Sequence, residues 1–179
     1  MKSEMRKSAA LIVLAFAACS GAAIAGPEKF VPGAHIEGFG PYAPVADPAI
    51  TPGSEFKIAY DVASAAEAGQ INRGLESAAR FLNMVTAAGV PAQNLKVAII
   101  VHGAAAADLQ RRYTDGTPNP NAALVEALVA KGVTVQLCGQ TAVMWDVDTG
   151  SLVPGVTVSL SAMTAHALLQ QDGYTLNPF

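Results

Sequence analysis

Cys138 is the residue of this sequence best suited to nucleophilic chemistry. It directly follows the alternating stretch 133–137, which is typical of a β-strand. Gly139 leaves the backbone free to turn there and to approach other segments closely. If a helix begins after it, backbone N–H groups point at the sulfur and favour the thiolate, which can hold a sulfane sulfur atom as a persulfide. An inert cysteine buried at a strand end is an equal alternative.

The residues after Gly139 give conflicting signals about that helix. Val143, Trp145 and Val147 occupy every second position, and this alternation favours a strand. A strand would turn the backbone donors away from Cys138 and would weaken the case for a thiolate.

Two more polar side chains are expected near Cys138. His102 ends another apolar stretch, where it could polarise or deprotonate a partner, although a histidine there more often only caps the strand end. Gln140 could reach the same place or face solvent. Sites in open parallel sheets form beyond the carboxyl ends of the strands. We therefore take Cys138 as the candidate nucleophile, with His102 and Gln140 as candidate partners.

Other polar residues favour structural explanations. Ser161 ends a further strand-like segment and is better explained as a helix N-cap than as a nucleophile. The stretch Asn119-Pro120-Asn121 could offer amides to a ligand, but it is typical of a turn with Asn121 as a helix cap. Asp146 and Asp148 are expected in a solvated loop.

The common cofactor and metal motifs are missing from the sequence. The three histidines, His35, His102 and His166, are far apart and lack ligand spacing, so a zinc site has little support. There is no C-x-x-C pair, no haem attachment motif and no Gly-rich phosphate loop. The sequence therefore predicts neither a cofactor nor a metal.

Alternating strand and helix patterns position these residues. The alternation predicts an α/β fold, a three-layer sandwich with a central, mostly parallel sheet covered by helices on both faces. The predicted strands are 56–62, 95–101, 133–137, 156–160 and 174–179, and the predicted helices are 71–88, 104–113, 122–131 and a last one that starts at Ser161 or Thr164 and ends at 169.

Residues 1–25 have the features of an export signal. Basic residues precede the apolar stretch 11–18, which is too short to span a bilayer, and Ala23-Ile24-Ala25 predicts cleavage before Gly26. The sequence therefore predicts a periplasmic protein without a membrane span. Lipid attachment at Cys19 is a less favoured variant.

Composition restricts what the mature chain can do. With 51% hydrophobic and 14% charged residues, the 179-residue chain is long and apolar enough for one folded domain and is not a disordered chain. Cleavage leaves a net charge of about −5, which disfavours nucleic acid, and leaves Cys138 as the only cysteine. Six prolines make 26–54 an extended N-terminal arm, so the domain is 55–179.

The chain resembles the DsrE family over residues 55–179. The resemblance depends on an ordered set of segments, namely 95–103, 119–121, 135–140 and 160–165, with Gly173-Tyr174 near the end. It implies a small α/β sandwich and homo-oligomers, often trimers or hexamers. Well-understood members of the family transfer sulfur as a persulfide on a cysteine at a strand end. The resemblance implies the same role for Cys138, which matches that position. This sequence differs from those intracellular relatives because it begins with the features of an export signal.

Two functions follow from these observations. The first is a periplasmic, sulfurtransferase-like sulfur-handling protein that carries a persulfide on Cys138 and exchanges it with a donor or acceptor protein. The second is a non-catalytic binding or assembly module of the same fold, in which Cys138 is merely buried. Accessibility of the thiol in the folded protein discriminates between them.

Overall fold

The computed structural model describes residues 26–178. The expected export signal and Cys19 therefore lie outside the described residues. The strands are β1 Phe56–Val62, β2 Leu95–Val101, β3 Thr134–Cys138, β4 Thr157–Ser159 and β5 Thr175–Asn177, and the α-helices are α1 Arg73–Ala87, α2 Asn121–Ala130, α3 Gly139–Met144 and α4 Ala162–Gln171. Short 3-10 segments occupy Pro27–Lys29, Ala92–Asn94, Gly103–Leu109 and Thr149–Ser151.

The sheet is parallel throughout, with the strand order β4-β3-β2-β1-β5. The chain adds β2, β3 and β4 in succession on one side of β1 and then crosses back to place β5 on the other side. The two edge strands, β4 and β5, are each three residues long. Helices cover both faces, which confirms the predicted α/β fold with a central parallel sheet.

The central strand β2 is buried on both faces, as its continuous apolar sequence predicts. Helices α1 and α2 contact each other and the sheet, whereas α4 contacts β2, β4 and β5. Side chains of α1 at helical spacing, including Leu75, Ala79 and Leu82, are buried in the core. None of the helices within residues 26–178 is long and apolar enough to cross a membrane.

The Pro-rich arm packs on α1 of its own domain. Ile36 is 1% exposed and belongs to the core cluster. The Asn83 side chain accepts from the N–H groups of His35 and Ile36 and donates to the carbonyls of Ile36, Phe39 and Gly40. One buried amide of α1 thus fixes the middle of an arm that has little regular structure of its own.

A buried carboxylate organises the loops between the elements. Asp108 accepts from Ala66 N–H and Asn72 Nδ2 at 2.8 and 2.7 Å and from Tyr113 Oη and Asn121 Nδ2, both at 3.3 Å. The predicted helix 104–113 is accordingly a 3-10 segment that ends at Leu109, because Gln110 and Arg112 form β-bridges instead.

The predicted cap at Asn121 was also wrong. Pro120 occupies the N-cap position of α2, and Asn121 is the first helical residue. Its side chain lies inside the protein, where Oδ1 accepts from Asn72 N–H at 2.6 Å. The backbone N–H of Asn121 donates to Asn119 Oδ1 at 2.9 Å, so Asn119 satisfies the helix start.

Candidate functional site

The carboxyl ends of the strands form one pocket that contains the candidate residues. The pocket has a volume of about 300 Å³ and is open to solvent on one side. Its lining includes Cys138, His102, Gln140 and Ser161, which the sequence placed at this edge of the sheet. The other residues that line it are Asp61, Thr141, Ala162, Met163 and His166.

Cys138 lies just below the surface at the pocket wall. It is the last residue of β3 and the N-cap of α3, it is not in a disulfide, and it is 6% exposed. Burial raises the pKa of its thiol, but hydrogen bonds to the sulfur outweigh burial, so the net pKa lies below the ordinary value. The groups that lower the pKa are the N–H groups of Thr141, Ala162 and Gln140 and the Thr141 hydroxyl.

The segment after Cys138 is the helix α3, not a strand. The alternation of Val143, Trp145 and Val147 was therefore misleading; Val143 and Trp145 are exposed and do not form a strand face. The helical start turns the backbone donors of Gln140 and Thr141 towards the sulfur. A further donor, Ala162 N–H, comes from the start of α4 and could not be assigned from the sequence near Cys138.

Gly139 is required by a close approach of two chain segments. A Cβ atom on Gly139 would lie 2.5 Å from the Ser159 carbonyl oxygen and 3.1 Å from that of Leu160. The backbone of Gly139 does not have the left-handed conformation that favours glycine. The missing side chain thus lets the start of α3 lie against the end of β4, which holds Cys138 beside the start of α4.

Asp61 binds two imidazoles at the same edge. His166 Nε2 lies 2.8 Å from Asp61 Oδ1, and His102 Nε2 lies 3.1 Å from the same oxygen. Burial raises the pKa of Asp61, but the hydrogen bonds from both histidines lower it more, so the net shift is downward. A carboxylate only accepts, so each Nε2 carries a hydrogen and the remaining proton-exchanging atom of each ring is Nδ1.

The two imidazoles differ in their access to the pocket. Nδ1 of His166 is buried and has no hydrogen-bond partner among the described residues. The His166 side chain is 15% exposed and that of His102 is 32% exposed. His102 is therefore the imidazole better placed to exchange a proton with a molecule in the pocket.

Sequence reasoning missed Asp61 and His166. Asp61 lies within the alternation of β1, and His166 lies in the middle of α4, 105 residues further along the chain. The only available signal was topological, because a polar residue near the carboxyl end of a central parallel strand points to the edge where sites form. His35 lies in the arm and does not line this pocket.

The remaining predicted residues have structural contacts. Gln140 lines the pocket, and its Nε2 donates to the Leu160 carbonyl at 3.2 Å. Ser161 is the N-cap of α4 in a capping box with Thr164. Asp148 caps the 3-10 segment Thr149–Ser151. Within residues 26–178, no three His, Cys, Asp or Glu side chains are grouped so that they could hold a metal ion.

Comparisons with known proteins agree with this fold. The sequence profile of the DsrE/DsrF-like family matches residues 56–178, and the chain belongs to this family. No curated protein matches the sequence. Membership of the family suggests a sulfur-related role.

Two solved structures are similar in fold. A protein of unknown function from Methanobacterium thermoautotrophicum, MTH1491, superposes with a TM-score of 0.53 at 15% identity, over 70% of this chain and 100% of its own. The ychN protein from E. coli has a TM-score of 0.50 at 21% identity, over 69% of this chain and 99% of its own. At these identities the likeness concerns the fold alone.

Proposed function

We propose that this protein is an exported, periplasmic sulfur carrier that holds a sulfane sulfur atom as a persulfide on Cys138. The observation that supports the proposal is the setting of the sulfur, which lines a pocket at the starts of α3 and α4, where neighbouring N–H groups lower the pKa of its thiol. Such donors stabilise a thiolate, and the thiolate is the nucleophile in sulfur exchange.

The proposed loading step needs no external oxidant. The Cys138 thiolate attacks the terminal sulfur of a persulfide or polysulfide donor. A new S–S bond forms at Cys138, the S–S bond of the donor breaks, and the leaving thiolate takes the electron pair and then a proton. His102 is proposed to take the proton of the Cys138 thiol on Nδ1 and to pass it to the leaving thiolate, while Asp61 holds Nε2 in the hydrogen-bearing form. Gln140, which also lines the pocket, is proposed to help orient the donor.

A binding or assembly module is the second candidate function. Cys138 is only 6% exposed, as expected for a buried thiol without chemistry. Several large apolar side chains near the pocket are exposed, which is a feature of interaction surfaces. They include Val143, Met144, Leu160 and Met163, of which Met163 lines the pocket itself.

Native alkylation distinguishes the two functions. We expect iodoacetamide at pH 7 to modify Cys138 in the folded protein faster than it modifies a free cysteine, because the hydrogen bonds keep a larger fraction of the sulfur as thiolate. Mass spectrometry of the intact protein follows the reaction, and Cys138→Ser gives the background. Modification that needs a denaturant would support the binding module and contradict the sulfur carrier.

We also propose that the mature protein is a homo-oligomer of three or six copies. The exposed apolar side chains Met144, Leu160 and Met163, and the short edge strands, are surfaces that a second copy could cover. We expect light scattering on residues 26–179 at micromolar concentration to give a mass of three or six chains. Replacement of Leu160 and Met163 by Ser should shift the mass towards that of one chain. A wild-type monomer would contradict the proposal.

A further inference from the structure

The carboxylate of Asp61 is shared unequally between the two imidazoles. His166 Nε2 makes one short contact, 2.8 Å from Asp61 Oδ1. His102 Nε2 lies 3.1 Å from Oδ1 and 3.2 Å from Oδ2, so its contact is longer and divided between both oxygens. Within residues 26–178, Asp61 forms no ion pair with a lysine or an arginine. Its side chain is 40% exposed, so it depends on the two histidines for its orientation.

His166 is the more firmly placed of the two imidazoles. It lies in the middle of α4, which begins with the capping box of Ser161 and Thr164 and contacts β2, β4 and β5. Its neighbour Ala165 is buried, so this part of the helix packs against the protein. A side chain that packing has already ordered can orient a partner with little further loss of entropy.

The backbone of His102 is fixed, whereas the orientation of its ring depends on Asp61. The N–H group of His102 donates to the Val62 carbonyl at 3.0 Å, which ties the end of β2 to the end of β1. A neutral imidazole carries one hydrogen, and the contact with the carboxylate places this hydrogen on Nε2. The lone pair of Nδ1 is then available to a proton from another group.

We infer that His166 is a positioning residue, which holds the Asp61 carboxylate in the orientation that keeps the His102 ring bound through Nε2–H with Nδ1 free. This inference rests on the proposed function, in which Nδ1 of His102 takes the proton of Cys138 and returns it to the leaving thiolate. His166 does not exchange this proton itself, because its own Nδ1 is buried. The two imidazoles on one carboxylate thus have different tasks.

Removal of the N–H donor of His166 tests this role. His166→Phe keeps a ring and loses the donor, so Asp61 can turn towards solvent. We expect loading of Cys138 by inorganic polysulfide at pH 7 to slow by about three- to tenfold, because a base that is no longer held in place transfers a proton less efficiently. His166→Gln keeps an N–H donor and should load at nearly the wild-type rate. Intact-mass measurement at timed intervals follows the reaction.

The NMR spectrum of His102 provides a readout that a merely structural role would not change. At pH 8 an ordinary imidazole is neutral, and its nitrogen chemical shifts show which nitrogen carries the hydrogen. We expect the Nε2–H form alone in the wild type and in His166→Gln. In His166→Phe we expect a mixture of the Nε2–H and Nδ1–H forms.

A matched control replaces a histidine outside the pocket. His35 lies in the arm and does not line the pocket, so His35→Gln should change neither the loading rate nor the His102 spectrum. His166→Leu provides a second variant without a donor if the phenylalanine variant does not fold, and circular dichroism establishes which variants are folded.

The outcomes separate this inference from the proposed function. Slower loading and a mixed His102 spectrum in the variants without a donor, both restored in His166→Gln, would support the role of His166. Loading at the wild-type rate in folded His166→Phe or His166→Leu would overturn that role and leave the sulfur carrier standing. Slower loading with an unchanged His102 spectrum, or a defect that His166→Gln shares, would overturn it as well. Wild-type protein that gains no sulfur would overturn the proposed function and this inference with it.

Discussion

Incubation of the native protein with inorganic polysulfide is expected to add about 32 Da, the mass of one sulfur atom, to Cys138. The thiolate attacks a sulfane sulfur of the polysulfide, one S–S bond forms, and the shortened polysulfide leaves with the electron pair. The pocket of about 300 Å³ beside the sulfur provides room for the added atom and its donor. Intact-mass measurement before and after treatment with reductant shows whether the gain is reversible.

In protein that comprises residues 26–179, the variant Cys138→Ser should lose this mass gain completely, because these residues contain no other cysteine. In the full-length chain, Cys19→Ser is the matched control and should keep the gain. A gain that persists in Cys138→Ser, or its absence in wild-type protein of native fold, would contradict the persulfide carrier. The outcome separates a chemical role of Cys138 from the binding module more directly than alkylation does.

Replacement of Asp108 by alanine is expected to lower the free energy of unfolding by about 3 kcal/mol, since it leaves buried donors without their acceptor. Asp108 is 2% exposed, and its two oxygens accept from Asn72, Asn121, Tyr113 and the backbone of Ala66. These contacts tie the loop after β1, the start of α1 and the start of α2 to one carboxylate. Urea unfolding followed by circular dichroism measures the change.

Glu126→Ala is the control for this measurement. Glu126 is an exposed carboxylate on α2, so its replacement should change the free energy of unfolding by no more than about 0.5 kcal/mol. If Asp108→Ala unfolds at the same urea concentration as the control, the buried network does not stabilise the protein as its geometry indicates. Because Asp108 does not line the pocket, Cys138 in folded Asp108→Ala should still gain sulfur.

The main elements of the fold could be predicted from local patterns. The predicted strands 56–62 and 95–101 coincide with β1 and β2, because apolar strand sequences between turn signals depend little on their surroundings. The segment 104–113 was predicted less well. Its composition favours a helix, but the buried Asp108 and the bridge at Gln110 impose a 3-10 segment and an extended end. Tertiary contacts overrode local preference there.

The candidate site could be predicted only in part. Topology brings the ends of β2 and β3 to one edge, and this placed His102 and Cys138 together without any contact information. It does not show which residue of a helix faces that edge, so His166 was missed, and Asp61, which binds it, was missed as well. The groups that lower the pKa of Cys138 could not all be predicted from the sequence either, because Ala162 N–H belongs to the junction between β4 and α4.

Because the arm packs on α1, the folded part of the chain starts before the region that matches the family. The family profile begins at residue 56, where the shared ancestry becomes visible. Asn83, however, is satisfied by backbone groups of residues 35–40, and Ile36 fills the core beside α1. A fragment trimmed to the homologous region would open a buried amide and an apolar cavity to water. The part of the chain that packs together is therefore longer than the region 56–178 that matches the family, and it starts in the arm.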